Sequence, residues 1–255
     1  MTEAYLRLFR APNPGPMTLQ GTNTWVVGDP TAGPVVVVDP GPLIQTHLDA
    51  IVGFAVGGVA SIVLTHRHLD HAESAAELAD RVGCGVRAAD PDLQRGPLGL
   101  VDGDVISVGR AQLEVLSTPG HTSDSTSLLL TTPDGSVRLL TGDMVLGQGT
   151  TVITYPDGNL AAYFTSLGQL QSVVAGRAVV EILPGHGPVV TDPAGVLAHY
   201  VRHRHERLDQ VRAALAAGDR SAAEIVARVY ADVDRSVWPA AEQSVRAQLD
   251  YLAQD

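Results

Sequence analysis

At 255 residues with 45% hydrophobic side chains, the chain is long enough to bury a real core, and one large domain plus a small appendage is its natural division. No apolar run approaches the roughly 18 residues that span a bilayer, the N-terminus lacks a basic segment followed by an apolar one, and the single cysteine, Cys84, excludes an internal disulfide, so a soluble cytoplasmic protein without membrane contact is expected. The net charge of −11, with arginine supplying all seventeen basic residues, argues against tight nonspecific binding to a polyanion, which depends on basic side chains releasing counterions.

In chain order, Gly and Pro punctuate the first 200 residues between short β-rich runs. The opening stretch from Asn13 to Thr24 has turn-forming composition, and within it Asn23 offers an amide that a substrate could meet. Strands are predicted at 25–27 and 35–38, the second ending in Asp39-Pro40-Gly41, and a helical pattern follows at about 44–55. Residues 61–64 read as a short buried strand that delivers Thr65-His66-Arg67-His68-Leu69-Asp70-His71, three imidazoles and a carboxylate within six residues. His66 and His68 can point the same way there, and Asp70-His71 falls one turn further on, able to face a second ion. A helix is expected over about 73–82, with Cys84 behind it as a small buried residue.

The same grammar of apolar run, Gly-containing turn and metal-competent side chain then recurs three times. Residues 113–118 lead into Pro119-Gly120-His121-Thr122, residues 137–140 into Thr141-Gly142-Asp143, and residues 179–183 into Pro184-Gly185-His186-Gly187, with a strand at 127–130 and a helix at about 160–175 between them. Five of the nine histidines sit in these motifs, so four strands would bring ligands to one edge of a β-structure. Nitrogen and oxygen donors without thiolate suit zinc, and iron or manganese also accept them. Ser125 and Ser127 lie near His121 but have no Gly-x-Ser-x-Gly setting, so no serine nucleophile is expected.

Together the motifs His-x-His-x-Asp-His, Gly-His-Thr, Thr-Gly-Asp and Pro-Gly-His-Gly resemble, in order and spacing, those of the metallo-β-lactamase superfamily. The resemblance implies an α+β fold, a four-layer αβ/βα sandwich. It places His66, His68 and His121 on one divalent ion, Asp70, His71 and His186 on another, and Asp143 between them, with Zn2+ the natural occupant of both sites. Asp39 would support the ligand loop without touching metal. A hydroxide held between the ions and oriented by Asp70 and Asp143 would attack an ester-type bond, in a carboxyl ester, thioester, lactone or phosphodiester. Because true zinc β-lactamases lack the bridging aspartate, strong β-lactam hydrolysis is not expected. Ala72-Glu73 depart from the Gly-Gly pair of many members, which should alter the packing of the following helix and leave the ligands untouched.

Beyond Pro188 the texture becomes Ala- and Arg-rich helix, at about 193–217, with a break at Gly218-Asp219, a capping-box start at Ser221-Ala222-Ala223-Glu224 and a last helix from Trp238-Pro239. The pieces His203-Arg204 and Arg207, Ala222-Ala223-Glu224-Ile225-Val226 with Val229-Tyr230, and Val237-Trp238-Pro239-Ala240-Ala241 resemble the small winged-helix domain attached to one branch of the superfamily, which divides the chain into a catalytic domain over 1–200 and a tail over 201–255. The tail carries eight arginines against nine acids and has no room for a β-wing, so it is expected to pack beside the active-site mouth or to form a homodimer contact. The non-enzymatic alternative is a winged-helix regulator with a structural metal site. The loop from Asn13 to Thr24 further resembles that of the lactamase-beta-like protein 2 group, which contains a single-strand endoribonuclease and thioesterases acting on acyl-carrier protein. Single-stranded RNA and a small acyl thioester, ester or lactone are therefore competing substrates.

Overall fold

The computed structural model describes residues 5–254, which leaves residues 1–4 and 255, the outer ends of the expected two-part division, outside the described residues. Its first half runs β1 (Leu6–Arg10), β2 (Asn23–Val27), β3 (Val35–Val38), α1 (Gln45–Phe54), β4 (Val59–Val63), α2 (Leu69–Ala72), α3 (Ala75–Val82) and β5 (Gly85–Arg87). These strands form one sheet in the order β1-β2-β3-β4-β5, antiparallel up to β3 and parallel from β3 to β5. Next come β6 (Val105–Val108), β7 (Ala111–Ser117), β8 (Thr126–Thr131), β9 (Val137–Gly142), α4 (Leu160–Arg177) and β10 (Glu181–Pro184). They build a second sheet, β10-β9-β8-β7-β6, antiparallel except for the parallel β9–β10 pair. Helices α5 (Pro193–Ala216), α6 (Ala222–Val229) and α7 (Trp238–Leu252) close the chain.

Side-chain alternation decides the layers, because neighbours along a strand face opposite sides. Val36 and Val38 point between the sheets, where they meet Val63, Leu113, Val115, Leu128 and Leu140. Val35 and Val37 point outward onto Leu48 and Ile51 of α1 and Leu78 of α3. On the second sheet Leu128 and Leu130 face inward, whereas Leu129 faces Tyr163 and Leu167 of α4 and Leu197 and Tyr200 of α5. Each such fully buried leucine contributes about 1.5–3 kcal/mol relative to exposure. The result is the expected four-layer αβ/βα sandwich, an α+β fold.

Strands β1, β5 and β6 lie at sheet edges, where a short or half-exposed pattern leaves little periodic signal, and the sequence did not announce them. The helix expected over 73–82 begins instead at Ala75. Ser74 interrupts it by bonding the Gly41 carbonyl through both N (3.1 Å) and Oγ (2.8 Å), and the Glu73 carboxylate accepts from the Leu43 backbone N–H at 2.9 Å. The Ala72-Glu73 departure thus ties this segment to the turn that follows Asp39.

Helix α5 runs unbroken through residue 200, capped by Asp192, whose side chain accepts from the Gly195 N–H, and opened by Pro193. The capping box at Ser221 and Glu224 forms. Val211 and Ala214 of α5 pack with Ile225 and Val226 of α6 and Ala241 and Val245 of α7, while Ala247 of α7 joins the core beneath α4. No strand follows β10 among the described residues, and no described helix is long and apolar enough to cross a membrane.

Candidate metal centre

The metal-competent side chains of the motifs all lie just past strand ends, at the rim where the two sheets meet. His66 and His68 occupy the loop after β4, Asp70 and His71 belong to α2, His121 follows β7, and Asp143 and His186 come directly after β9 and β10. They converge in two groups, His66, His68, His121 and Asp143 in one and Asp70, His71 and His186 in the other, each with one donor atom per residue within 4.8 Å of the rest. In the first group His68 Nδ1 lies 3.1 Å from His66 Nε2 and 3.0 Å from His121 Nε2. In the second, His186 Nε2 lies 3.1 Å from both His71 Nε2 and Asp70 Oδ2. Asp143 reaches across, with Oδ1 3.4 Å from His71 Nε2 and Oδ2 3.5 Å from His186 Nε2 and 3.8 Å from His121 Nε2.

Outer hydrogen bonds fix which ring nitrogens face inward. Asp39 accepts from the Thr65 backbone N–H at Oδ1 (2.8 Å) and, at Oδ2, from the Thr65 hydroxyl (2.7 Å) and His71 Nδ1 (2.9 Å). Since the Thr65 hydroxyl gives its proton to Asp39, it accepts from His66 Nδ1 at 3.0 Å. His121 Nδ1 donates to the Val152 carbonyl at 2.6 Å, and His186 Nδ1 faces the Gly21 carbonyl at 3.4 Å. With Nδ1 turned to an outer acceptor in all four, Nε2 is the nitrogen that each ring turns to the centre. Asp39 itself adopts a left-handed φ of 52°, which Asp tolerates better than most residues and which these three bonds hold in place.

Charge is partitioned between the groups. Burial pushes His66 and His68 down, and it lowers His121 to about 4 despite the nearby Asp143 carboxylate. Burial would lower His71 and His186 too, but Asp143, with Asp39 beside the former and Asp70 beside the latter, overrides it, raising His71 well above its usual value and His186 to about 9. Against the opposing cost of burial, His186 and His71 hold the Asp143 carboxyl well below the ordinary carboxylate range. The cluster therefore combines neutral imidazoles at His66, His68 and His121 with ionised carboxylates that hold protons on His71 and His186, and a divalent cation would take the place of those protons.

Two observations show that a cation fits. Asp143 Oδ1 is buried without a hydrogen-bond partner, a cost of about 1–3 kcal/mol or more if left uncompensated. The lone pairs of His66 and His121 also converge on His68 Nδ1, where a single proton serves one of them at most. Space is reserved by glycine: a Cβ on Gly185 would lie 2.6 Å from both Asp143 Oδ1 and His71 Cε1, and one on Gly142 (φ 48°) would collide with the Thr65 side chain.

Asn23 takes a different part from the substrate contact its sequence position suggested. It is 1% exposed, and its Nδ2 donates to the carbonyls of Pro184 (3.0 Å) and Gly187 (2.9 Å), so its amide braces the His186 loop and both its protons are spent. The opening loop reaches the site through other residues. Pro16, Met17 and Leu19 line a cavity of ≈ 290 Å3 that His121 and Asp143 also line, and whose far wall is the tail, with Arg207, Tyr230 and Val233 among its residues. Ser125 and Ser127 are paired with Thr122 (2.7 Å) and Thr118 (2.9 Å).

Arg204, which the sequence singled out only through the tail's resemblance, is also a contributor to the site. It is 2% exposed, its Nη2 donates to the Thr151 carbonyl at 2.6 Å, and its guanidinium lies 4.9 Å from the Tyr163 ring centroid. A signal was readable: Tyr200, Arg204, Leu208 and Val211 form one buried helical stripe, with a charge in its middle.

A model of the metallo-beta-lactamase superfamily matches residues 17–227, and one of the beta-lactamase associated winged helix domain matches residues 221–255. The chain is similar to the beta-lactamase-like protein 2 homolog of Caenorhabditis elegans, at 32% identity over 255 residues covering 95% of this chain and 82% of that one. It is also similar to the atrochrysone carboxyl ACP thioesterase of Aspergillus chevalieri, at 32% identity over 211 residues, covering 80% of this chain and 64% of that one. A metallo-beta-lactamase family protein from Thermus thermophilus has the same fold, with a TM-score of 0.80 at 21% identity over 98% of this chain and 93% of that one.

Proposed function

The chain belongs to the metallo-β-lactamase superfamily and is a metal-dependent hydrolase, and we propose that it uses two divalent ions, zinc in both sites, to hydrolyse small acyl thioesters and related esters. The observation that carries the dinuclear reading is the Asp143 carboxylate, buried and within 3.4–3.8 Å of histidines from both groups. His66, His68 and His121 would hold one ion and Asp70, His71 and His186 the other, with Asp143 placed to serve both groups. When bound, such ions lower the pKa of a coordinated water and polarise the scissile carbonyl.

The protein's own residues supply the rest. Asp70, 30% exposed, orients the attacking water as the more open carboxylate, while Asp39 and the Val152 carbonyl keep His71 and His121 in the metal-binding tautomer. His203, the imidazole of the cavity's tail wall, is lowered to about 4 by burial and by the neighbouring Arg204 and Arg207, so near neutral pH it holds no acidic proton to give a leaving group. A thiolate, whose conjugate acid has a pKa near 8.5, departs without a proton donor far more readily than an alkoxide does. The similarity to a protein named as an acyl-carrier-protein thioesterase favours the same class. We infer that the tail, residues 201–255 in the division proposed from the sequence, belongs to the enzyme as one wall of its cavity.

Metal-stripped and zinc-reloaded protein should be compared on acyl thioesters, lactones and single-stranded RNA. Thioester turnover that requires close to two zinc ions per chain is expected. Turnover of RNA alone, or thioester turnover unaffected by stripping, would overturn the reading.

A further inference from the structure

We propose that the cavity beside the metal centre receives the acyl part of the substrate, and that Arg207 and His203 there select acyl groups ending in a carboxylate. The inference rests on the thioesterase reading and extends it to the acyl group. Both residues line the cavity from helix α5, and Arg207 carries a full charge with no carboxylate partner among the described residues. Its Nη1 donates to Gln210 at 2.8 Å, its Nε to His203 Nε2 at 3.4 Å, and its guanidinium lies 4.5 Å from the Tyr230 ring centroid. These contacts hold the guanidinium over the ring and leave Nη2 unassigned.

The His203 tautomer follows from this contact. Because Nε2 accepts from Arg207, the ring proton sits on Nδ1, and that nitrogen is buried without a partner. Arg204 Nε, one residue on and also lining the cavity, is likewise buried and unpartnered. Unmet donors in such a place cost free energy unless something accepts from them. Among the described residues the only acid lining this cavity is Asp143, which belongs to the metal centre. Anionic oxygen is thus the missing acceptor, and a planar carboxylate matches the guanidinium fork.

Size and polarity place that carboxylate on the acyl side. At ≈ 290 Å3 the cavity stands at the small end of ligand pockets, which span about 300–1,000 Å3, and Met17, Leu146, Val233 and Val237 line it with apolar surface. It suits a short apolar chain with one charged end and is too small for a bulky thiol carrier.

Two measurements test this on the full chain. The first is calorimetric binding of non-hydrolysable thioether analogues to metal-free protein, where no ion can take the carboxylate. A short acyl analogue ending in a carboxylate should bind at least tenfold more tightly than its methyl ester, and Arg207→Met should remove that difference while Arg207→Lys restores part of it. The second is the ratio of kcat/KM for glutaryl and monomethyl-glutaryl thioesters with zinc-loaded enzyme, which should exceed ten and fall toward one in Arg207→Met. Equal binding of acid and ester, equal binding when the carboxylate sits on the thiol side, or a ratio unmoved by Arg207→Met would overturn the proposal. If neither thioester is turned over while the acid analogue still binds through Arg207, the hydrolytic reading fails and the anion site stands.

Discussion

Arg204 donates to the Thr151 carbonyl at 2.6 Å, and the next carbonyl along the chain, that of Val152, accepts from His121 Nδ1 at the same distance. A buried charge on helix α5 thereby holds the loop that sets the tautomer of a candidate ligand. Ser244 of α7 adds a second hold, accepting from the Ile153 N–H at 3.1 Å. The C-terminal helices are thus coupled to the metal centre through two backbone residues.

Arg204→Met should therefore weaken metal binding at the His66, His68 and His121 group by about 10–100-fold, the usual effect of losing an outer partner. It should also cost about 1–3 kcal/mol of stability, because the Thr151 carbonyl is left unsatisfied. Zinc titration with a competing chelator and chemical unfolding read the two effects separately. Full retention of zinc affinity would show that the loop holds itself.

Asp39→Asn retains a residue that tolerates the left-handed φ of 52°, so the fold should survive. The amide's single acceptor oxygen cannot serve Thr65 N–H, Thr65 Oγ1 and His71 Nδ1 together. Zinc bound by the Asp70, His71 and His186 group should weaken by about 10–100-fold, with the second equivalent lost before the first. Stoichiometry by elemental analysis after limited dialysis checks it; two equivalents retained would assign Asp39 no influence on the centre.

Gly185→Ala drives a methyl group into Asp143 Oδ1 and His71 Cε1, each 2.6 Å away. The rim must move or the carboxylate must turn, at a cost of about 1–3 kcal/mol. Turnover should fall with zinc content, while a far-ultraviolet spectrum like the wild type's would show that the sheets remain. Unchanged zinc content would mean that β10 yields without disturbing Asp143.

The metal-free protein should be most stable near pH 6.5. His186, raised to about 9, contributes stability that is complete below about 6.5, the unfolded value, and is lost as pH rises through 9. His121, lowered to about 4, favours the fold only when neutral, and that contribution is lost as pH falls from about 6.5 through 4. Thermal midpoints between pH 4 and 10 should trace this dome, and bound zinc should flatten its basic limb by replacing the proton on His186. The same linkage predicts proton release when zinc binds at pH 7.5, measurable by calorimetry in buffers of different ionisation enthalpy. A midpoint that is level across the range would refute the charge partition.

The sequence by itself determined the layers and the cast of the metal centre. The run Val35 to Val38 and the alternating Leu128, Leu129 and Leu130 assign each side chain to a face, because strand periodicity is a local property of the backbone. The motifs around His66, His121, Asp143 and His186 were legible because metal chemistry restricts residue type as well as spacing. What only the tertiary structure decided depends on contacts between residues far apart in the chain. Asn23 braces the His186 loop from 161 and 164 residues away, Arg204 crosses 53 residues to Thr151, and the tail turns out to wall the cavity. Hydrogen bonds of that span follow from how two sheets and three helices pack, and no local period records them.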